Sequence, residues 1–95
     1  MNESDKVRID KWLWAARFFK TRSMATEAID GGHVHLNGDR IKPARTVKMG
    51  DMLRIHTQHG DFEVQVRMLS DKRGPAEQAR LLYEETAESI EKRTR

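Results

Sequence analysis

Ninety-five residues suffice for one domain and not two, and a chain of this size buries only about 60–70% of its unfolded surface, leaving little room for a deep substrate cleft. With no cysteine there is no disulfide scaffold and no thiolate chemistry. The formal charge is +3 but uneven: residues 8–48 carry nine Lys and Arg against four Asp and Glu, whereas residues 76–91 carry one Arg against five Glu, so one region suits a polyanion and the other suits solvent.

The first ten residues, MNESDKVRID, contain no apolar signal region, and no run approaches the roughly 18 apolar residues of a membrane span. A reducing cytoplasm is the expected compartment, and no membrane partner is expected. Residues 1–7 read as a flexible N-terminal arm. From Asp10 the chain reads DKWLWAARFFK, in which Ile9, Leu13 and Ala16 keep helical spacing and Trp12 and Phe19 widen the stripe. Asp10 is the expected cap of this first helix. A second helix is expected through Met24, Ala25, Ala28 and Ile29, with Thr21 as its N-cap, so the two form a tight helix–turn–helix pair. Gly31-Gly32 ends it, because glycine takes the left-handed conformation that closes a last turn.

In His33-Val34-His35-Leu36 the apolar residues share one face of a strand and the histidines the other. Asn37-Gly38 is a strong hairpin signal, since a type I′ turn needs positive φ at both central residues. Arg40-Ile41-Lys42 is the expected return strand, ended by Pro43. Beyond a turn at Gly50-Asp51, strands are expected at about 52–58 and 62–69, joined at His59-Gly60-Asp61. Arg73-Gly74-Pro75 breaks the sheet. From Ala76 to about Arg93 the spacing of Ala79, Leu82, Tyr83, Thr86 and Ile90 predicts one long helix with its glutamates outward.

The basic residues of the first half are the main chemical feature. Arg8, Lys11, Arg17, Lys20 and Arg22 lie on or between the two helices, and Arg40, Lys42, Arg45 and Lys48 on or after the hairpin. On one rigid face they would neutralise phosphates and release counterions, giving salt-sensitive nucleic-acid binding. The competing reading is an ordinary solvated surface. Trp12 and Trp14 point about 200° apart on a helix, so one indole, Trp14, is the candidate for stacking on a base. His33-x-His35 could suggest a metal, but cysteine is absent and no carboxylate sits at ligand spacing, so neither metal nor cofactor is expected. A nucleophile with its base, a carboxylate pair and a phosphate-cradling glycine loop are all absent from the sequence pattern; no catalytic residue and no enzyme activity are expected.

Arg8-Ile9-Asp10, Leu13, Thr21-Arg22, Ala25, Ile29, Gly32, Val34, Asn37-Gly38 and Gly50-Asp51 together resemble the S4 RNA-binding domain, over about residues 8–55, in order and spacing. That module contains a helix–helix–hairpin unit called the αL motif. DKWLWAARFFKTRS and LLYEETAESIEKR are similar to the ribosome-associated heat-shock protein 15 family, a likeness spanning nearly the whole chain. The resemblance implies a cytoplasmic bacterial stress-response protein. It would bind the free large ribosomal subunit carrying stalled nascent peptidyl-tRNA and aid its recycling. Members often continue into a basic tail; this sequence ends at Glu91-Lys92-Arg93-Thr94-Arg95.

The expected fold is α/β (α+β): an αL motif and small antiparallel sheet over residues 8–70, then a C-terminal helix over 71–95. The expected RNA-binding residues are Arg8, Lys11, Arg17, Lys20, Thr21, Arg22, Ser23, His33, His35, Arg40, Lys42, Arg45 and Lys48. Ile9, Leu13, Ala16, Ala25, Ile29, Val34 and Leu36 are assigned to the core. Ribosomal RNA, the large subunit and peptidyl-tRNA are the expected partners of a monomer, with non-specific DNA binding as a lesser expectation. Two other readings stay open: a detached S4-type module of a larger RNA-processing enzyme, and a protein–protein adaptor using the acidic helix 76–93.

Overall fold

The computed structural model describes residues 6–94. Strand β1 (Val7–Arg8) leads directly into helix α1 (Ile9–Ala15), and α2 (Arg22–Asp30) follows after a short turn. The chain continues as β2 (Val34–Leu36), β3 (Asp39–Arg40), β4 (Thr46–Val47), β5 (Met52–Thr57) and β6 (Gly60–Val66). It ends in α3 (Ala76–Ala79), a single 3₁₀ turn (Arg80–Leu82), β7 (Tyr83–Glu85) and α4 (Ala87–Thr94). The strands form an antiparallel five-stranded sheet ordered β3-β2-β5-β6-β7 and a separate antiparallel pair, β1-β4. This is an α+β fold.

Register sorts the side chains of the larger sheet. Val34 and Leu36 pair with Ile55 and Leu53, which pair in turn with Phe62 and Val64. Because successive strand residues point to opposite faces, this apolar set lies on the side that packs against the helices. Ile9, Trp12, Leu13, Ala15, Ala25 and Ile29 meet it there, all fully buried. Every residue assigned to the core from sequence is buried. His35, Arg54 and Glu63 form a cross-strand row on the other face.

Trp12 joins the N-terminal and C-terminal halves. It is 0% exposed. Its ring stacks near Phe18 (6.3 Å between centroids) and meets the edge of Tyr83 (6.5 Å), and its Nε1–H donates to the Met68 carbonyl at 2.9 Å. An indole needs such a partner when it is buried.

Both helices of the pair close in the same way. For α2, the Gly32 N–H donates to Ile29 (3.0 Å) and the His33 N–H to Ala28 (2.9 Å), with Gly32 at φ +81°. For α1, Arg17 donates to Trp14 (3.1 Å) and Phe18 to Leu13 (3.0 Å), with Arg17 at φ +67°. Arg17 therefore takes the left-handed place that glycine normally fills. The hairpin turn has Asn37 at φ +50° and Gly38 at +87°, the type I′ geometry expected of that pair.

Several expectations are corrected. Val7, placed in the N-terminal arm, is a buried strand residue paired with Val47; residues 1–5 of that arm lie outside the described residues. Asp10 does not cap α1, whose N-cap is Arg8, with no side-chain capping bond; backbone carbonyls of Arg45 and Pro43 accept from Ile9 (2.7 Å) and Asp10 (3.5 Å) instead. The return strand is Asp39–Arg40 rather than Arg40–Lys42, and the β5–β6 turn falls at Gln58-His59, with Thr57 paired to Gly60. The long helix expected over 76–93, and with it a helix filling 71–95, is broken by β7. The β6 edge has backbone groups that need partners, and Tyr83-Glu84-Glu85 supply them.

Candidate nucleic-acid interface

Asp10 lies on the first turn of α1 and is 2% exposed. A buried carboxylate is costly unless it is paired, and two arginines from different elements converge on this one. Arg8, on β1, donates through Nε to Oδ1 (3.2 Å) and through a terminal nitrogen to Oδ2 (2.9 Å). Arg22, at the start of α2, approaches Oδ1 at 3.6 Å. The Thr26 hydroxyl lies 3.3 Å from Oδ2 and 3.1 Å from the Arg22 carbonyl. The arginine side chains remain 48% and 43% exposed, so each guanidinium presents part of its fork to solvent.

Around this cluster the fold gathers several of the expected residues. Thr21 caps α2, its Oγ1 accepting from the Met24 N–H at 3.1 Å. Ser23 lines the same shallow depression as Arg8, Arg22 and Thr26. The loop carrying the exposed Lys42 and Arg45 lies against the start of α1 through the backbone bonds described above. Lys11, by contrast, is 3.9 Å from Asp71, in the segment before α3.

Other candidates sit elsewhere. Arg17 donates from Nε to the Gly74 carbonyl at 2.9 Å, tying the interhelical turn to the segment before α3. Lys20 is exposed in that same turn. Arg40 reaches back to the Asp30 carbonyl at the end of α2 (2.7 Å), fastening the hairpin to the helix. His33 stacks on His56 at 5.5 Å, and His35 lies between Arg40 and Arg54 on the outer sheet face. Lys48 is exposed beside the hairpin turn, where Asp51 accepts from both the Lys48 N–H (2.8 Å) and Asn37 (3.2 Å). Trp14, considered for stacking on a base, is half-buried, with the Arg73 guanidinium 5.9 Å above its ring.

Four contributors are not legible as such in the sequence. Asp10 reads locally as a cap, although its spacing from Arg8 also allows a charged pair. Arg73 donates to the carbonyls of Trp14 (2.6 Å), near the end of α1, and Phe19 (3.0 Å), in the turn that follows, and nothing local marks that long-range contact. Arg54 and His56 extend the polar sheet face, a consequence of register alone. Among the described residues no group of three or more His, Asp or Glu side chains is placed to hold a metal ion.

The S4 domain family model matches residues 7–53, the stretch that contains β1, both helices, the hairpin and this cluster. Heat shock protein 15 of Escherichia coli (strain K12) is 52% identical over 88 residues, covering 93% of this chain and 66% of its own length. The chain thus spans just under two thirds of that relative. The solved structure of Vibrio cholerae heat shock protein 15, described as trimeric, superposes with a TM-score of 0.90 at 47% identity, covering 94% of this chain and 90% of that one. The RQC P-site tRNA stabilizing factor of Bacillus subtilis is 37% identical over 65 residues, 68% of this chain and 76% of its own. The chain belongs to the heat shock protein 15 family and carries that family's S4 domain.

Proposed function

We propose that this chain is a ribosome-associated RNA-binding protein. It engages the free large ribosomal subunit carrying stalled peptidyl-tRNA and aids its return to translation. The observation that carries the reading is the convergence of Arg8 and Arg22 beside the Lys42–Arg45 loop, within the stretch that matches the S4 domain. The relative named for stabilizing P-site tRNA supports a site close to peptidyl-tRNA.

In this reading Arg8, Thr21, Arg22, Ser23, Lys42 and Arg45 contact phosphate and ribose at the centre of the interface, and Lys11 adds charge from the Asp71 side. Lys20, Lys48, His33 and His35 lie toward its margins. Arg17 and Arg40 contribute mainly by holding the turn and the hairpin in place. Structured RNA is read by shape, through backbone and 2′-OH contacts. The same cations give weak, salt-labile binding to duplex DNA. The chain works in the cytoplasm, as a monomer and as a binder rather than an enzyme; the Vibrio relative's structure is described as trimeric, and a trimer of this chain in solution would replace the monomer. The adaptor reading loses its premise, because residues 76–93 do not form one acidic helix.

The test is co-sedimentation with small subunits, empty large subunits, large subunits bearing peptidyl-tRNA, and assembled ribosomes, at salt giving a Debye length of about 8 Å. Selective pelleting with the peptidyl-tRNA-bearing large subunit is the expected result. Equal, salt-labile pelleting with every particle would reduce the function to generic RNA binding.

A further inference from the structure

The structure assigns Asp10 a specific task, which rests on the RNA-binding reading: it is a positioning residue that sets selectivity for folded over unstructured RNA by fixing the directions of Arg8 and Arg22. Asp10 carries a negative charge inside a surface meant for a polyanion, so by charge alone it opposes binding. It borders the same depression as Arg8 and Arg22, but at 2% exposure it offers a ligand very little surface of its own. What it does is geometric. Arg8 and Arg22 come from β1 and α2, and Asp10 on α1 is the group both approach.

A guanidinium has five donors in a rigid fork. Arg8 spends Nε–H and one terminal nitrogen on the two carboxylate oxygens, and its other terminal nitrogen has no hydrogen-bond partner among the described residues. Arg22 approaches with one terminal nitrogen. Thr26 fixes the carboxylate in turn by hydrogen bonding with Oδ2. Two long side chains that would otherwise sample many rotamers are thus held before RNA arrives. Holding them removes an ordering cost from recognition of a fixed array of phosphates. An unstructured strand can adapt to wandering arginines and gains little from the restraint.

The experiment compares Asp10→Asn with wild type in binding to purified large ribosomal subunits and to poly(U), at one salt concentration. Asparagine keeps the size and an acceptor for Thr26 while removing the charge that orders the arginines. Binding to large subunits should fall roughly tenfold, the cost of ordering about two side chains, while poly(U) binding holds or tightens because the surface loses a negative charge. A structural role would lower both together, and that outcome, or unchanged selectivity in a folded variant, overturns the inference.

A double-mutant cycle with Arg22→Ala sharpens it: the selectivity cost of Asp10→Asn should shrink when Arg22 is already gone, whereas additive costs would show that Asp10 does not act through Arg22. If Asp10→Asn fails to fold, Arg22→Lys replaces it. That change keeps the charge and leaves Asp10 paired to Arg8, and it should lose selectivity because a point charge lacks the second edge of the fork; retained selectivity overturns the inference. Wild type that does not prefer large subunits to poly(U) would overturn the ribosomal reading and this inference with it. Wild type that discriminates beside variants that discriminate equally would overturn this inference alone.

Discussion

Each end of the molecule has a carboxylate held by arginine, and the two are used differently. At the basic end Asp10 is buried and gathers Arg8 and Arg22 from two other elements, while both arginine side chains stay nearly half exposed. At the acidic end Glu85 of β7 accepts from Arg93 of α4 through both side-chain oxygens, and the Ser89 hydroxyl donates to it as well. Arg93 there lies across the Phe62 ring, 4.3 Å from its centroid, and the bond to Glu85 raises its pKa above an already high ordinary value. The first arrangement turns charge outward from a packed motif. The second spends it on a surface contact within the chain, to fasten a short segment onto the edge of the sheet. The difference follows from what each segment can bury. Residues 7–53 supply twelve of the sixteen core residues, whereas the segment after residue 75 adds Leu82 alone to that cluster and relies on polar staples for the rest.

The contrast breaks down most severely if the shared core is removed. Trp12→Ala should cost about 3–5 kcal/mol, the range for emptying an aromatic site, and it should loosen both ends at once. The ring touches Phe18 and Tyr83, and its Nε1–H holds Met68 just after β6. Denaturant unfolding followed by tryptophan fluorescence from Trp14 and by far-ultraviolet circular dichroism gives the test: the two transitions should shift together. If helix content survived the loss of the Trp14 signal, the ends would be separate cooperative units.

A smaller change should separate them. The Ser89 hydroxyl accepts from the Glu63 N–H at 2.9 Å while donating to Glu85. Thr86 holds the start of α4, its Oγ1 accepting from the Ser89 N–H at 3.2 Å, and its own N–H reaches the Glu63 carbonyl at 2.9 Å. Ser89→Ala leaves a partly buried donor unmet, at a cost of about 1–3 kcal/mol. Amide exchange should accelerate in α4 and β7 and stay unchanged in α1 and α2. Uniform acceleration would mean that the staple supports the whole fold.

The same division decides what the sequence made legible. Residues 9–38 read well because local chemistry and tertiary demand agree there: Thr21 caps, Gly32 closes, Asn37-Gly38 turns, and the apolar spacing matches burial. Residues 76–93 read poorly because they conflict. The spacing favours a helix, but the open edge of β6 needed hydrogen-bond partners and took three residues from its middle. Arg17 was misjudged for a related reason. An arginine in a left-handed closing position carries no glycine to announce it, so a residue that ends a helix and binds Gly74 looked like a free cation. Asp10 shows the limit at the candidate site: a carboxylate near a helix start reads as a cap until the fold brings Arg22 and Thr26 to it.

The mildest test lies where the two ends meet. Tyr83 touches Trp12 and Phe18 from the first half and sits two residues from Glu85 in the second. Burial, and then the charge of Glu85, raise its phenol above the ordinary 10.0, outweighing the lowering influence of Arg80 and Arg93. The folded chain therefore keeps this proton at a pH where the unfolded chain has released it. Tyr83's contribution to stability is intact below about pH 10 and is lost as pH rises through the raised folded value. Because the ring is partly solvated, the loss is small, and lysines titrating nearby would mask it in wild type alone. The difference between wild type and Tyr83→Phe isolates it: the two stability curves should run parallel below pH 10 and converge or cross above it, as only wild type loses stability through the phenol. Tyr83 is the only tyrosine in the chain, so its near-ultraviolet absorbance reports the titration directly. A midpoint at or below 10 would mean that Trp12 and Phe18 do not desolvate the ring, and the join between the two ends would be looser than these contacts require.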